Sequence, residues 1–216
     1  MGRDVIVACD FSSADAVFSF LDKFTDVKPF TTGVAHGASG VALALCSLIT
    51  EDTKEKFEKE MLTVLQWENE HYSDENNNWF DLRDKTKKGF MSGWCSGAPG
   101  IGIARNYIEK HTENLQIKKL CETDLERAEK FLKAQSVSKR DTLCCGTASK
   151  LMAASVLGVS VDDLYTLLCD AEKSMTLRTS HLVNTNDRNV SLMQGLSGVA
   201  YALAMYGDPL CGGMLI

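Results

Sequence analysis

The sequence predicts an all-α protein built from repeated helical hairpins. Three observations carry that prediction. Only 3 prolines occur in 216 residues, and proline is the residue that most strongly disrupts a helix interior. Nearly all-apolar helical segments alternate with amphipathic ones, the pattern of inner helices covered by outer ones. A glycine frame also recurs: Gly37, Gly97, Gly146 and Gly195 each open an apolar segment, at spacings of 60, 49 and 49 residues. Such a period marks a repeat architecture whose single unit cannot bury its own apolar face.

The elements follow in order. Asp4 to Cys9 reads as a short strand or an irregular start. Ser12 or Ser13 can cap a helix to about Phe24, with Ala16, Val17, Phe20, Leu21 and Phe24 on one face. From Gly37 runs an apolar helix with Val41, Leu43, Leu45, Leu48 and Ile49, expected to be buried on most sides. Thr53 to His71 is amphipathic and suits an outer helix, with Phe57, Met61, Leu65 and Trp67 among Lys and Glu. Ser73 to Asn78 and Lys85 to Gly89 read as polar loops.

Gly97 opens the second apolar helix, through Ile101, Ile103, Ala104 and Ile108. Asp124 to Ala134 is amphipathic, with Leu125, Ala128, Phe131 and Leu132 on one side. Gly146 opens the third apolar helix, Val161 to Met175 is its outer partner, and Gly195 opens the fourth. A glycine stands three residues past the frame glycine at Gly40, Gly100 and Gly198, with Ser149 in its place in the third repeat. Glycine within a helix costs roughly 1 kcal/mol relative to alanine, so its recurrence implies close backbone approach, expected where the inner-helix starts crowd together. The Lys and Glu of the outer helices read as solvated faces.

Composition limits the function. Hydrophobic residues are 44% and charged residues 24% of the chain, an ordinary globular balance. A net charge of -6 disfavours gripping nucleic acid or an anionic membrane. No segment reaches the ~18 apolar residues of a membrane helix. The apolar run Val5–Cys9 is too short for a signal core. Together these give the expectation of a cytoplasmic protein without stable membrane insertion. In a reducing compartment its 8 cysteines are metal ligands, catalytic thiols or core residues rather than disulfides.

Aligned on the frame glycine, the preceding residue is His36, Ser96, Cys145 and Gln194, and the one before that is Ala35, Cys95, Cys144 and Met193. If the helix starts converge, Cys95, Cys144 and Cys145 converge. Thiolates beside helix N-termini favour deprotonated sulfur and make a soft metal site. Zinc is the ion expected for tetrahedral sulfur ligation, and three protein ligands leave a position open, as in catalytic zinc sites. Three thiolates leave such a site at about -1, which suits thiol activation better than water activation. His36 is then the candidate proton donor or acceptor. Cys9, Cys46, Cys121, Cys169 and Cys211 read as packed core thiols. His71, His111 and His181 read as solvated, and Trp94 either lines a pocket or packs.

These residues resemble a known family. Gly-Val-Ala-His-Gly-Ala-Ser-Gly, Gly-Trp-Cys-Ser-Gly-Ala-Pro-Gly, Leu-Cys-Cys-Gly and Leu-Met-Gln-Gly-Leu-Ser-Gly-Val-Ala-Tyr-Ala-Leu, in this order over residues 33–206, resemble the lanthionine synthetase C-like family. The C-terminal end is similar to that of class II lanthipeptide synthetases. The resemblance implies an α/α toroid of seven inner and seven outer helices. Its zinc activates precursor-peptide cysteines for addition to dehydroalanine or dehydrobutyrine, forming thioether rings. Carried over by motif, Cys95, Cys144 and Cys145 are the zinc ligands and His36 the acid/base residue. Many members have Cys-His-Gly where this chain has Cys144-Cys145-Gly146; a subset of the class II enzymes shares the all-cysteine set.

Only about four of the seven repeats are found, so residues 1–216 are expected to be the C-terminal portion of a cyclase domain. An incomplete toroid of this kind exposes two apolar edges and is expected to need an N-terminal synthetase portion or to self-associate. Two other functions stay open: addition of glutathione or another small thiol to dehydrated residues, and a non-catalytic helical-repeat binding module that keeps zinc for structure. The paired carboxylates of toroidal glycosidases and the Asp-rich motifs of terpene cyclases are not recognised.

Overall fold

The computed structural model describes residues 31–84, 89–180 and 189–207. The expected strand or irregular start at Asp4–Cys9 and the helix ending near Phe24 lie outside the described residues, as do Cys9, His181 and Cys211. Seven helices are described: α1 (Ala38–Ser47), α2 (Lys54–Asn69), α3 (Ala98–His111), α4 (Leu115–Lys133), α5 (Thr147–Leu157), α6 (Asp162–Lys173) and α7 (Leu196–Gly207).

The apolar helices α1, α3, α5 and α7 pack side by side in sequence order, while α2, α4 and α6 cover them. Every inner helix begins one residue after its frame glycine. The main core joins Ile101 and Ile103 of α3, Phe131 and Leu132 of α4, Leu151 and Met152 of α5, Leu164 and Leu168 of α6, and Val199 and Met205 of α7. A second cluster holds Ala42 and Cys46 of α1, Met61 and Leu65 of α2, Ile108 of α3, and Ile117 and Cys121 of α4.

Several expectations are revised. The stretches read as polar loops are flanked by a small antiparallel sheet in the order β1 (Tyr72–Ser73), β2 (Asn78–Asp81), β3 (Gly89–Phe90). Periodicity cannot reveal strands this short. The sheet is fixed through Asn78, whose Nδ2 donates to the Met91 carbonyl (2.8 Å). Its Oδ1 accepts from the Ala98 N–H (2.8 Å) at the start of α3. Thr32 Oγ1 donates to the Phe80 carbonyl (2.7 Å), so the sheet also ties to the segment leading into α1. Helix α4 starts nine residues before Asp124, because the Asn114 side chain caps it by accepting from the Gln116 (3.0 Å) and Ile117 (3.3 Å) N–H groups.

Helix α1 is less buried than expected: Val41 is 44% exposed. Among the described residues α1 packs on α2 and α3, so its opposite face has no described neighbour. On the last inner helix Ala200 and Ala204 are exposed for the same reason.

The outer helices are also not uniformly wet. Glu68 of α2 and Asp124 of α4 are completely buried, and both pair with the equally buried Arg105 of inner helix α3, at 2.7 and 2.8 Å. Arg127 adds a second cation to Asp124 (3.0 Å). A lone charge so deep would cost several kcal/mol. Here the guanidinium fork bridges two carboxylates, and their charge holds Arg105 firmly protonated against the opposing effect of burial.

The glycine recurring three residues into α1, α3 and α7 does allow close approach, chiefly within its own repeat, although Gly198 also meets the Leu143 side chain of the preceding repeat (2.8 Å). A Cβ on Gly40, Gly100 or Gly198 would run into the carbonyl oxygen of Val34, Trp94 or Leu192, six residues earlier. The first helical turn folds tightly over the loop leading into it. Gly100→Ala should therefore destabilise the chain by about 1–3 kcal/mol through overpacking. Ser149→Ala, at the equivalent place in the third repeat, should be close to neutral. Denaturant unfolding of both variants checks the contrast, and equal midpoints would refute the assigned contact.

Candidate functional site

The four inner-helix starts are joined by single backbone hydrogen bonds at equivalent positions. Ala35 N–H donates to the Cys95 carbonyl (3.1 Å), Cys95 N–H to the Cys144 carbonyl (3.2 Å), and Cys144 N–H to the Met193 carbonyl (2.9 Å). These four residues all lie two before the frame glycine. The repeat register is therefore expressed physically as a ladder running across the N-terminal ends of α1, α3, α5 and α7.

Cys95, Cys144 and Cys145 sit on the two middle positions and are half-buried. Close approach is permitted by Gly93: a Cβ there would lie 2.6 Å from the Cys145 Cα and 2.7 Å from the Cys144 carbonyl oxygen. Gly33 has the same role in the preceding repeat, against the Cys95 carbonyl oxygen and the Ser96 Cα. Its φ of +99° is also one that side-chain-bearing residues rarely adopt.

The thiols act on one another's acidities through Cys144. That arrangement spreads their acidities apart. Cys144 donates toward both neighbours and its own ionisation is pushed strongly up. The bond from Cys144 lowers Cys95 to about 7 against the opposing effect of burial, with help from Arg83. The same donor lowers Cys145 to about 6 against the opposing effect of burial, aided by the Arg140 and Arg83 charges. Arg83 is a site residue the sequence reading missed. It follows β2, between the two segments read as polar loops, and it forks onto Asp81 through Nε (2.9 Å) and Nη2 (2.7 Å).

Among the described residues no three His, Cys, Asp or Glu side chains stand ready as a metal-holding set. The three thiols lie close enough to shift one another's acidities. Their chemistry and proximity nevertheless fit a soft ion: two are biased to thiolate near neutral pH, beside helix N-termini and two arginines. The fit lies in the donor set and the converging backbone.

His36 is exposed, one residue beyond the ladder residue Ala35. Trp94 is half-buried and packs on the main core, which favours the packing role expected as one alternative. His71 and His111 turn Nδ1 to the carbonyls of Trp67 (2.8 Å) and Tyr107 (2.7 Å), His111 at the surface and His71 half-buried. Cys46 and Cys121 are core thiols, as read; burial pushes both up, Cys121 to about 12.

An arc of helical hairpins with thiols at converging inner-helix starts defines a helical-repeat protein with a sulfur-rich site. The sequence model described as "Lanthionine synthetase C-like protein" matches residues 10–210, and the chain belongs to that family. Among solved structures it is similar to one titled "Nisin cyclase", with TM-score 0.56 and 15% identity, over 91% of this chain and 50% of that one. The likeness is one of fold, the α/α toroid expected from the motifs. The chain spans half the length of that structure. Comparison with curated proteins gave no match. No described helix is long and apolar enough to cross a membrane.

Arg83 stabilises the thiolate forms, so removing its charge must raise the pH at which they appear. In metal-free Arg83→Gln, the midpoint for alkylation of Cys95 and Cys145 by iodoacetamide should move upward, read by peptide mass spectrometry. A midpoint equal to that of the unmodified chain would remove Arg83 from the site.

Proposed function

We propose that this chain takes part in forming thioether bonds on a dehydrated peptide, as the cyclase portion of a lanthipeptide-modifying system in the cytoplasm. The observation that carries the reading is the backbone ladder, which gathers Cys95, Cys144 and Cys145 and puts His36 one residue from its first donor. In this reading the three cysteines hold a zinc ion. When bound, zinc supplies Lewis-acid stabilisation to the sulfur anion of the substrate cysteine.

The residues of the chain do the rest. Arg83 and Arg140 keep the site electropositive enough for thiolates to persist. The substrate sulfur adds to the β-carbon of dehydroalanine or dehydrobutyrine. One S–C bond forms, the C=C π bond breaks, and the resulting α-carbanion takes a proton. His36 is the group assigned to move that proton. The reaction is redox-neutral and needs no further co-reactant. The exposed faces of α1 and α7 would accept further hairpins from an N-terminal synthetase portion.

His36→Asn should keep its zinc and lose about 10²–10⁴-fold in thiol addition, the usual contribution of a positioned acid or base. The assay uses the full chain, supplied with the N-terminal portion where it is needed, and a synthetic peptide bearing one dehydroalanine and one cysteine. Loss of zinc from this variant would reassign His36 as a ligand. Product masses separate ring closure from capture of added glutathione, the competing reaction.

Cys145→Ala should bind zinc at least tenfold more weakly, because one of three protein thiolates is gone. Cys145→His should keep zinc and react more slowly, as the site loses one negative charge. Full occupancy and an unchanged rate in Cys145→Ala would show that Cys145 is a packed thiol.

A further inference from the structure

We propose that Glu68 is a positioning residue for His36, an inference that rests on the proton-transfer role proposed above. Glu68 lies near the C-terminal end of outer helix α2 and is wholly buried. Its Oε1 accepts from the Gly33 N–H (2.7 Å) and the Ser39 N–H (3.3 Å). Its Oε2 accepts from the Ser39 hydroxyl (2.6 Å) and from Arg105 Nη2 (2.7 Å). Gly33 and Ser39 bracket the turn Val34–Ala38, which carries His36. One carboxylate therefore grips both ends of that turn.

Arg105 locks the grip. Its Nη1 donates to the Ser39 hydroxyl (3.1 Å) and its Nε to Asp124 (2.8 Å). The His36 turn is thus referenced to α2, α3 and α4 at once. With the Ala35 N–H on the Cys95 carbonyl, its backbone is held at three points, while Ala35 and His36 themselves stay exposed.

Among the described residues, the starts of α3 and α5 are held without such a device. Asn78 satisfies the start of α3 as a neutral amide. Asp141, before α5, holds Thr147 (3.1 Å) and the half-exposed Arg178 (2.7 Å). A fully buried charge pair is a poor way to gain stability, and in some proteins such pairs are kept because they specify one geometry. It is found at the turn whose side chain is assigned a moving proton. A glutamine at position 68 has only one accepting oxygen, and its amide would face the donors of Arg105 or Ser39.

The test uses the full chain loaded with zinc, in Glu68→Gln and the milder Ser39→Ala. Both should keep the metal content of the unmodified chain. The amides of residues 34–38, Ala35 above all, should exchange about tenfold faster by mass-resolved hydrogen exchange, as a local opening does. With the dehydroalanine–cysteine peptide, kcat should fall about tenfold or more at unchanged KM, the mark of lost orientation. Glu68→Gln should cost nothing further in a His36→Asn background, because the two act as one unit.

Unchanged exchange in this turn, or effects of Glu68→Gln and His36→Asn that multiply, overturns the proposal. If Glu68→Gln does not fold, Ser39→Ala decides alone by the same readouts. Full activity in zinc-loaded His36→Asn instead overturns the proton-transfer role, independently of what the exchange says about Glu68.

Discussion

The structure depends on a short run of backbone hydrogen bonds: Ala35 to Cys95, Cys95 to Cys144, Cys144 to Met193. Each bond joins the same position in adjacent repeats, so one register decides where every inner helix begins. A shift of one residue in either middle repeat would break two bonds of the ladder and move the cysteines away from one another. The ladder uses only main-chain groups, and that leaves the side chains at these positions free to differ. The same scaffold holds a small residue at Ala35, thiols at Cys95 and Cys144, and a thioether at Met193.

Around this ladder the arc is held by two different kinds of force. Apolar contacts join α3 to α7 in one core and α1 to α4 in another, and they tolerate exchange of one aliphatic residue for another. The Arg105 network is directional. It connects Ser39, Glu68 and Asp124 through a fully buried fork, and it fixes α1, α2, α3 and α4 by geometry more than by area. The first two hairpins are in this way tied by charge, whereas α5, α6 and α7 are tied by packing and by Tyr206, whose hydroxyl accepts from the Val161 N–H (2.7 Å) and donates to Asp162 (2.8 Å).

Much of this was legible in the sequence, because repeats leave the same mark several times. The frame glycines placed the start of every described inner helix within a residue, and the alternation of apolar and amphipathic segments gave the inner and outer layers. The convergence of Cys95, Cys144 and Cys145 followed from register alone. What escaped was everything that depends on a single residue meeting a distant one. Glu68 and Asp124 look like any acidic residue on an outer helix; only the arrival of Arg105 makes them internal. Arg83 sits between two strands too short to show a period, and its charge meets those of Cys95 and Cys144 only once the chain is folded. The start of α4 was missed because Asn114 caps it, and a lone asparagine in a polar stretch has many other uses.

The glycines also serve two distinct purposes that the sequence presents as one. Gly40, Gly100 and Gly198 let a helix fold back over its own lead-in loop; Gly33 and Gly93, four residues before the frame glycine, let one repeat approach the next. The third repeat can carry Ser149 at the first kind of position and Thr142 at the second. The second kind of contact matters for chemistry. Without a Cβ at Gly93, the Cys144–Cys145 peptide comes within van der Waals range of the loop that presents Cys95, and two adjacent cysteines can both share in the site. A side chain at that one position would push the two middle repeats apart, stretch the Cys95–Cys144 bond of the ladder and separate the thiols. The closeness of the three cysteines therefore depends on a missing methyl group as much as on the register of the repeats.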